Sequence, residues 1–281
     1  MNVTEYLQKW SVSYRDDMLG NIMPFWLKHG LDLRNGGVYT CLDRDGSLID
    51  TTKSVWFQGR FAFTCSYAYN HIEQNPEWLA AAKSTIDFIE QHCFDSDGRM
   101  FFEVTASGEP LRKRRYVFSE TFAAIAMVEY AIASGEREYA EKALKLFKDI
   151  QRFLNTPGVL EPKYWNTVQS KGHSIVMILI NTASRIRAAI ADPALDKQID
   201  DSIALLQKDF MHPEFNALLE TVGSNGEFID TINGRIINPG HCIETSWFIL
   251  EEAKYRNWDK QLTDMALTIL DWSWEWGWDK E

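Results

Sequence analysis

Apolar residues recur along the chain at the three-to-four-residue spacing of helices. In positions 55–70, bulky side chains fall at i, i+4, i+7 and i+11 and mark one helix face: Trp56, Arg60, Phe63 and Tyr67. Positions 118–134 and 174–190 are small or apolar on nearly every side, and 241–255 follows a Pro-Gly pair that suits a helix start. We predict that these four stretches are inner helices, each buried on most sides.

The stretches between them are charged on one side and apolar on the other, as in helices with one buried face. We predict four outer helices, at 76–93, 137–154, 193–210 and 258–274.

Turn-plus-strand segments rich in Gly and Asp separate the helix pairs. Gly37, Met100 and Ala217 mark equivalent points in three of them, at separations of 63 and 117 residues. The second separation is almost twice the first, so a further unit is expected near positions 154–165. The chain therefore repeats with a period of about 60 residues.

Alternating inner and outer helices predict an all-α fold, an (α/α)6 toroid or barrel with short β-hairpins at one end. An open solenoid is the alternative, but inner helices that are apolar all round favour closure, because a solenoid leaves one face of each unit wet. Six hairpins at this period need roughly 360 residues, and the chain has 281. We expect 1–281 to be a single domain that lacks the C-terminal barrel helices, with 274–281 starting another turn-plus-strand segment.

Composition narrows the class of protein. The chain has 40 acidic and 29 basic residues, a formal net charge of −11, and 45% hydrophobic residues. This hydrophobic fraction excludes a disordered chain. The acidic balance argues against a nucleic-acid or membrane partner, and no apolar run reaches the roughly 20 residues that cross a bilayer.

The cysteines form no C-x-x-C pair and no zinc spacing, so we predict reduced, buried thiols and no metal site. They are Cys41, Cys65, Cys93 and Cys242. Unpaired thiols and the absence of a signal-peptide pattern predict a cytoplasmic location.

The segment NPGHCIETSW, 238–247, is the most specific local sequence. Its Pro-Gly pair places His241 in the first turn of a helix, with Glu244 at i+3 on the same face. The positive end of the helix dipole disfavours an imidazolium, so we expect a neutral His241 that acts as a base. Glu244 would accept a hydrogen bond from the ring or from a substrate hydroxyl. The alternative is a capping histidine followed by a surface glutamate.

Arg60 lies in the middle of a helix on the face of Trp56 and Phe63. A guanidinium there must be paired or must face a polar cavity. It is interpreted either as the buried partner of a carboxylate such as Glu120 or Glu244, or as an anion stabiliser at the centre of the toroid.

A basic run, 112–115, precedes the helix in which Glu120 occupies the first turn. Such a run is usually a solvated loop, and the alternative is the mouth of a cavity. His173 is the one other histidine expected at the edge of a pocket. The remaining histidines are predicted at the surface: His29, His71, His92 and His212.

Four segments resemble the N-acylglucosamine 2-epimerase family in order and separation. They are WFQGR around Arg60, RKRRYVFSE around Arg115, VMILIN around Met177 and NPGHCIETSW around His241. RKRRYVFSE is similar to the N-acylglucosamine branch. The disaccharide branch carries a His-Met-His run where this chain has Val-Met-Ile at 176–178.

The resemblance implies an (α/α)6 barrel that interconverts N-acetylglucosamine and N-acetylmannosamine by proton transfer at carbon 2 of the open-chain sugar. Inversion needs two acid–base groups. The resemblance implies that His241 is one of them and that Arg60 lies beside the nascent anion, while the family's second catalytic histidine lies beyond position 281. The implied substrate contacts are Glu244, Tyr116, Glu120, Asn181, Lys163 and Trp247.

The resemblance further implies a small amino sugar as partner, a homodimer, and no redox cofactor or metal, with ATP as an activator in some relatives. Other functions stay open. A related sugar isomerase or a cellobiose or mannobiose 2-epimerase would use the same enediolate. A toroidal glycosidase would use Glu120 and Glu244 as paired carboxylates. A non-catalytic sugar-binding or protein-interaction module is the fourth possibility.

Overall fold

Helices joined by short strand pairs make up both halves of the chain. The computed structural model describes residues 2–114, 116–160 and 167–279. It groups the chain into two compact units, Met1–Leu160 and Glu161–Glu281. The expectation of a single domain stays a prediction.

The N-terminal unit contains six α-helices and five short strands among the described residues. The helices are α1 (Val3–Asp17), α2 (Met23–His29), α3 (Val55–His71), α4 (Pro76–His92), α5 (Phe118–Ser134) and α6 (Arg137–Asn155), with a π-helical turn at Met18–Ile22 before α2. The strands are β1 (Cys41–Leu42), β2 (Leu48–Asp50), β3 (Lys53–Ser54), β4 (Glu103–Val104) and β5 (Pro110–Arg112). β1 pairs with β2, and β4 lies between β3 and β5, all antiparallel.

The C-terminal unit likewise consists of helices joined by short strand pairs. Its helices are α7 (His173–Arg187), α8 (Pro193–Leu205), α9 (Pro239–Tyr255) and α10 (Lys260–Gly277), and a π-helical segment, Leu206–Phe210, extends α8. Its strands are β6 (Ser170–Gly172), β7 (Met211–His212), β8 (Ala217–Leu218) and β9 (Thr221–Gly223). β6 pairs with β9 and β7 with β8.

The eight predicted inner and outer helices are all present, with ends within a few residues of the predicted positions, except that the α-helical part of 193–210 stops at Leu205. The expected strand segment at 274–281 is wrong, because α10 continues as a helix to Gly277. α1 and α2 had not been predicted.

The core of the N-terminal unit forms around α5, which packs against α3, α4 and α6. Every residue from Ser119 to Ala131 is buried, as its apolar composition predicted. α3 approaches it closely at Gly59, where an added Cβ would lie 2.7 Å from the carbonyl carbon and oxygen of Phe122.

The aromatic stripe of α3 is not its core-facing side. The buried residues of α3 are mostly small: Val55, Gln58, Gly59, Ala62, Cys65, Ser66 and Ala68. Trp56, Phe63 and Tyr67 are half-buried and Arg60 is exposed. The stripe therefore borders open space, while small residues allow the close helix contact.

The internal repeat is visible in side-chain packing. Near the end of α2, His29 packs against Gly46, and at the end of α4, His92 packs against Gly108. Both glycines have positive φ, 88° and 92°, which suits the turns that they form. These pairs lie 63 and 62 residues apart in sequence, the period read from the hydrophobic pattern.

A lysine just before an inner helix pairs with an aspartate in three of the repeats. Lys53 is fully buried, and its Nζ donates to Asp32 Oδ2 at 2.8 Å and to two backbone carbonyls. Lys113 lies 2.6 Å from both Asp95 and Asp97, and Lys171 pairs with Asp209. The carboxylates of Asp95 and Asp97 thus partly neutralise the positive charge of residues 112–114. This part of the basic run is therefore not simply solvated.

The prediction of buried thiols holds for three of the four cysteines. All four are free, and Cys65, Cys93 and Cys242 are buried while Cys41 is exposed. Burial raises the pKa of Cys65 and of Cys93 to about 12.

Candidate functional site

Two histidines and one glutamate meet in the C-terminal unit. His173 is the first residue of α7, His241 lies in the first turn of α9, and Glu220 occupies the turn between β8 and β9. The pairing of β6 with β9 brings the turn beside α7, and the His173 N–H donates to the Glu220 carbonyl at 3.0 Å. The ring centroids of His173 and His241 are 6.3 Å apart.

Local sequence fixes the position of His241. Asn238 is the N-cap of α9, and its Oδ1 accepts the His241 N–H at 3.3 Å. Pro239 follows as the first helical residue, where its missing N–H costs nothing. His241 is therefore not the cap, and its side chain is 34% exposed.

Glu220 holds the ring of His241. Its carboxylate oxygens lie 3.0 and 3.1 Å from His241 Nδ1. Burial alone would raise the pKa of Glu220, but the two histidines outweigh burial and lower it to about 2. The hydrogen bond from Glu220 in turn raises the pKa of His241 above its ordinary value, although burial opposes this. This direction is opposite to the one expected from the helix dipole, because the carboxylate outweighs the dipole.

His173 is fully buried, so it does not lie at the edge of a pocket as expected. Its Nε2 is 2.8 Å from Thr245 Oγ1, and that hydroxyl donates its single proton to the His241 carbonyl at 2.8 Å. The Thr245 oxygen must then accept from His173, so Nε2 carries the proton. His173 Nδ1 faces Glu220 Oε2 at 3.6 Å.

This arrangement suits acid–base chemistry at His241. A carboxylate that accepts from Nδ1–H fixes the tautomer and leaves Nε2 as the proton-transfer atom. The two imidazoles and the carboxylate are also a set of atoms that could hold a metal ion.

Arg60 belongs to the N-terminal unit. Its guanidinium lies 3.8 Å from the ring centroid of Phe122. It borders a cavity of about 430 Å³ whose walls are largely aromatic and aliphatic and include Trp26, Phe57 and Phe61. The cavity expected beside Arg60 was a polar one, whereas these walls are largely apolar, and the role of Arg60 in catalysis stays a prediction.

The N-acylglucosamine 2-epimerase family model matches residues 37–281 of the chain. The chain belongs to this family. It is 30% identical over 270 residues to N-acylglucosamine 2-epimerase of Bos taurus, covering 94% of this chain and 64% of the bovine protein. The enzyme of Rattus norvegicus is 28% identical over 290 residues, at 99% and 68% coverage. The chain thus spans about two thirds of the length of these family members.

Solved structures of other proteins have the same fold as this chain. Cellobiose 2-epimerase from Bacillus thermoamylovorans superposes with a TM-score of 0.84 at 21% identity, covering 95% of this chain and 72% of that one. This likeness to the (α/α)6-barrel epimerases confirms the predicted fold class. Among the described residues, no helix combines the length and apolarity of a membrane span.

The substrate contacts that the family resemblance implied lie in both units, and they differ in burial and in their partners. Glu120 is fully buried, and its Oε1 accepts from Arg99 Nε at 3.0 Å and from the Met100 N–H at 2.9 Å. These contacts and its burial favour a structural role for Glu120 over the predicted substrate contact. Tyr116 is half-buried, with its ring 5.8 Å from that of Trp56.

In the C-terminal unit, Glu244 is exposed and acts on His241 through its charge alone. The carboxylate that binds the ring is Glu220, so the first of the two contacts expected for Glu244 is wrong, and its contact with a substrate hydroxyl stays a prediction. Trp247 is 48% exposed and packs on Phe248. Asn181 is half-buried in α7, and Lys163 lies outside the described residues.

Sequence reasoning missed Glu220 and the role of Thr245. The internal repeat offered one indication of Glu220. This glutamate lies three residues after Ala217, and Glu103 lies three residues after the equivalent residue Met100. The prediction of surface histidines is right for His71 and wrong for His212. His212 is buried, with Nδ1 2.8 Å from Glu214; His29 and His92 are half-buried.

Proposed function

We propose that the chain is a sugar 2-epimerase that interconverts N-acetylglucosamine and N-acetylmannosamine. The hydrogen on carbon 2 is acidic only while carbon 1 is an open-chain carbonyl. In the proposed reaction His241 Nε2 exchanges that proton and Arg60 stabilises the enediolate anion. Return of a proton to the opposite face inverts carbon 2.

The observation that carries the proposal is the His241–Glu220 pair in a chain of this family. Nδ1 is committed to the carboxylate at 3.0 Å, and the ring is 34% exposed, so Nε2 is left as the nitrogen that can exchange a proton with substrate.

His173 does not supply the second acid–base group in this proposal. It is fully buried, and its Nε2–H is committed to Thr245 at 2.8 Å. A group that must reach substrate cannot be sealed in this way. We assign His173 a positioning role beside Glu220.

Incubation with N-acetylmannosamine in heavy water tests the proposal. We expect N-acetylglucosamine with deuterium at carbon 2, detected as loss of the carbon-2 proton signal by NMR. His241→Gln should lower the rate by about 10²-fold or more, the usual contribution of general acid–base catalysis. The matched control is His71→Ala, whose exposed ring lies in the other unit and whose loss should leave the rate unchanged.

Two results would contradict the proposal: product that carries no deuterium, or a His241→Gln variant as fast as the native chain. Mannose and cellobiose as substrates separate the alternatives. A ketose product would identify an aldose–ketose isomerase, and turnover of cellobiose alone would place the activity in the disaccharide branch.

We also propose a cytoplasmic homodimer that needs neither a redox cofactor nor a metal for the reaction, with ATP as an activator. Family resemblance supports the dimer, the activator and the absence of a cofactor, and the unpaired thiols support the cytoplasmic location. Rates measured with and without ATP, and light scattering of the purified chain, test the activator and the dimer.

A further inference from the structure

We propose that His173 Nδ1, Glu220 and His241 Nδ1 form an inhibitory binding site for a divalent transition-metal ion, best matched by Zn²⁺. Metal binding stands on the geometry alone. The inhibitory consequence rests on the proposed function, since it acts through His241.

The spacing of the donor atoms fits a metal. Glu220 Oε2 lies 3.0 Å from His241 Nδ1 and 3.6 Å from His173 Nδ1, and the three donor atoms all fall within 4.8 Å of one another. Zinc ligands at roughly 2.0–2.1 Å in a tetrahedron are about 3.3 Å apart. An ion would therefore need only modest adjustment of the two histidine rings.

The surroundings of the buried His173 suit a metal-binding histidine. Its Nδ1 has no hydrogen-bond partner within the described part of the chain, although the atom is buried. Its Nε2–H is held by Thr245 at 2.8 Å, which leaves Nδ1 as the ring nitrogen that faces Glu220 Oε2 at 3.6 Å. A metal-binding histidine commonly donates its second ring nitrogen to such a partner, which fixes the tautomer.

The site is also accessible and chemically selective. The side chains of His241 and Glu220 are 34% and 20% exposed, so that side of the cluster is open to solvent and leaves room for water as a fourth ligand. Two imidazoles and one carboxylate are the donor set of open zinc sites. Mg²⁺ prefers oxygen ligands and retains its waters, so it should bind poorly.

Metal binding would remove the catalytic base. With Glu220 as hydrogen-bond acceptor, His241 carries its proton on Nδ1 and has a free lone pair on Nε2. A metal on Nδ1 needs a lone pair on that same nitrogen, so the neutral ring must give up the Nδ1 proton and carry its proton on Nε2 instead. Exchange with water moves the proton from one nitrogen to the other, and no base remains for carbon 2.

Calorimetric titration of the metal-free chain with ZnCl₂ tests binding without turnover. We expect one Zn²⁺ per chain and no comparable heat with MgCl₂. Glu220→Gln and His173→Ala should each weaken binding by roughly tenfold or more, since even outer-shell changes cost that much. Circular dichroism checks that each variant is folded, and Glu220→Gln, at a partly exposed position, is the safer of the two.

The control is His71→Ala. His71 Nε2 lies 3.6 Å from Glu129, a single histidine–carboxylate pair without a second imidazole, so its removal should not change Zn²⁺ binding. An absence of Zn²⁺ binding, or equal binding by native protein and a folded Glu220→Gln variant, overturns the site. If Zn²⁺ binds at these residues but leaves epimerisation unchanged, the inhibitory part is wrong; an inactive native chain would instead contradict the proposed function.

Discussion

At the scale of single residues, two influences act on the imidazole of His241. The first turn of α9 presents the positive end of a helix dipole, which disfavours a charged ring. Glu220, 3.0 Å from Nδ1, favours it. The carboxylate prevails because it makes a direct hydrogen bond, whereas the dipole acts from partial charges spread over the turn.

We expect the metal-free chain to show a His241 pKa above 6.5, the ordinary value for histidine, and Glu220→Gln to lower it. Titration of the ring protons by NMR measures both. Glu244→Gln is the matched control and should lower the pKa less, since Glu244 acts by charge without a hydrogen bond. An equal decrease in the two variants would contradict a direct Glu220–His241 bond.

The same pair shows what a sequence reveals and what it hides. The place of His241 at a helix start could be predicted because Asn238, Pro239 and Gly240 are its neighbours in the chain. Glu220 is 21 residues away in a turn, and this turn is held beside the segment before α9 by the Glu220 N–H, which donates to the Ile236 carbonyl at 3.1 Å. Thr245 was in the quoted motif, but its role required the position of His173.

At the scale of elements, periodicity located the helices but not always their packing faces. The stripe Trp56, Arg60, Phe63 and Tyr67 marked α3 correctly as a helix. The buried face of α3 consists instead of small residues, because the approach of α3 to α5 leaves room only for a glycine at position 59. Side-chain volume at a helix contact depends on the neighbouring helix, which a single segment does not reveal.

Gly59→Ala should destabilise the chain. Helix propensity alone would favour alanine by about 1 kcal/mol, but the added Cβ would lie 2.7 Å from backbone atoms of Phe122, which cannot rotate away. Overpacking costs about 1–3 kcal/mol, so the net effect should be a lower free energy of unfolding in urea.

Gly20→Ala is the matched control for this substitution. Gly20 lies in the π-helical turn before α2 and has no atom within 4 Å of an added Cβ, so its replacement should be neutral or stabilising. If Gly59→Ala is as stable as Gly20→Ala, the close contact between α3 and α5 is wrong.

At the scale of the whole molecule, the sequence repeat was sufficient to predict the fold class, since a period of about 60 residues accommodates one helix pair with its strands. The hairpin ends that the repeat creates also concentrate charge. Among the described residues, the pKa of eight carboxyl groups is lowered from its ordinary value. These groups are Asp32, Asp45, Asp50, Asp95, Asp97, Asp149, Glu214 and Glu220.

Stability should therefore fall in acid, where loss of these carboxylates also makes the net charge increasingly positive below the isoelectric point of about 5.1. A carboxyl group with a lowered pKa stabilises the fold above its unfolded value of about 4, and this contribution is lost as pH falls towards the folded pKa. The urea midpoint should decrease from pH 5 to pH 3. For Asp32, burial would raise the pKa, but hydrogen bonds from Lys53 and Asn35 hold it well below its usual range. The stability difference between native chain and Asp32→Asn should thus shrink over the same interval. A midpoint that is constant or rises towards pH 3 would contradict a stabilising role of these carboxylates.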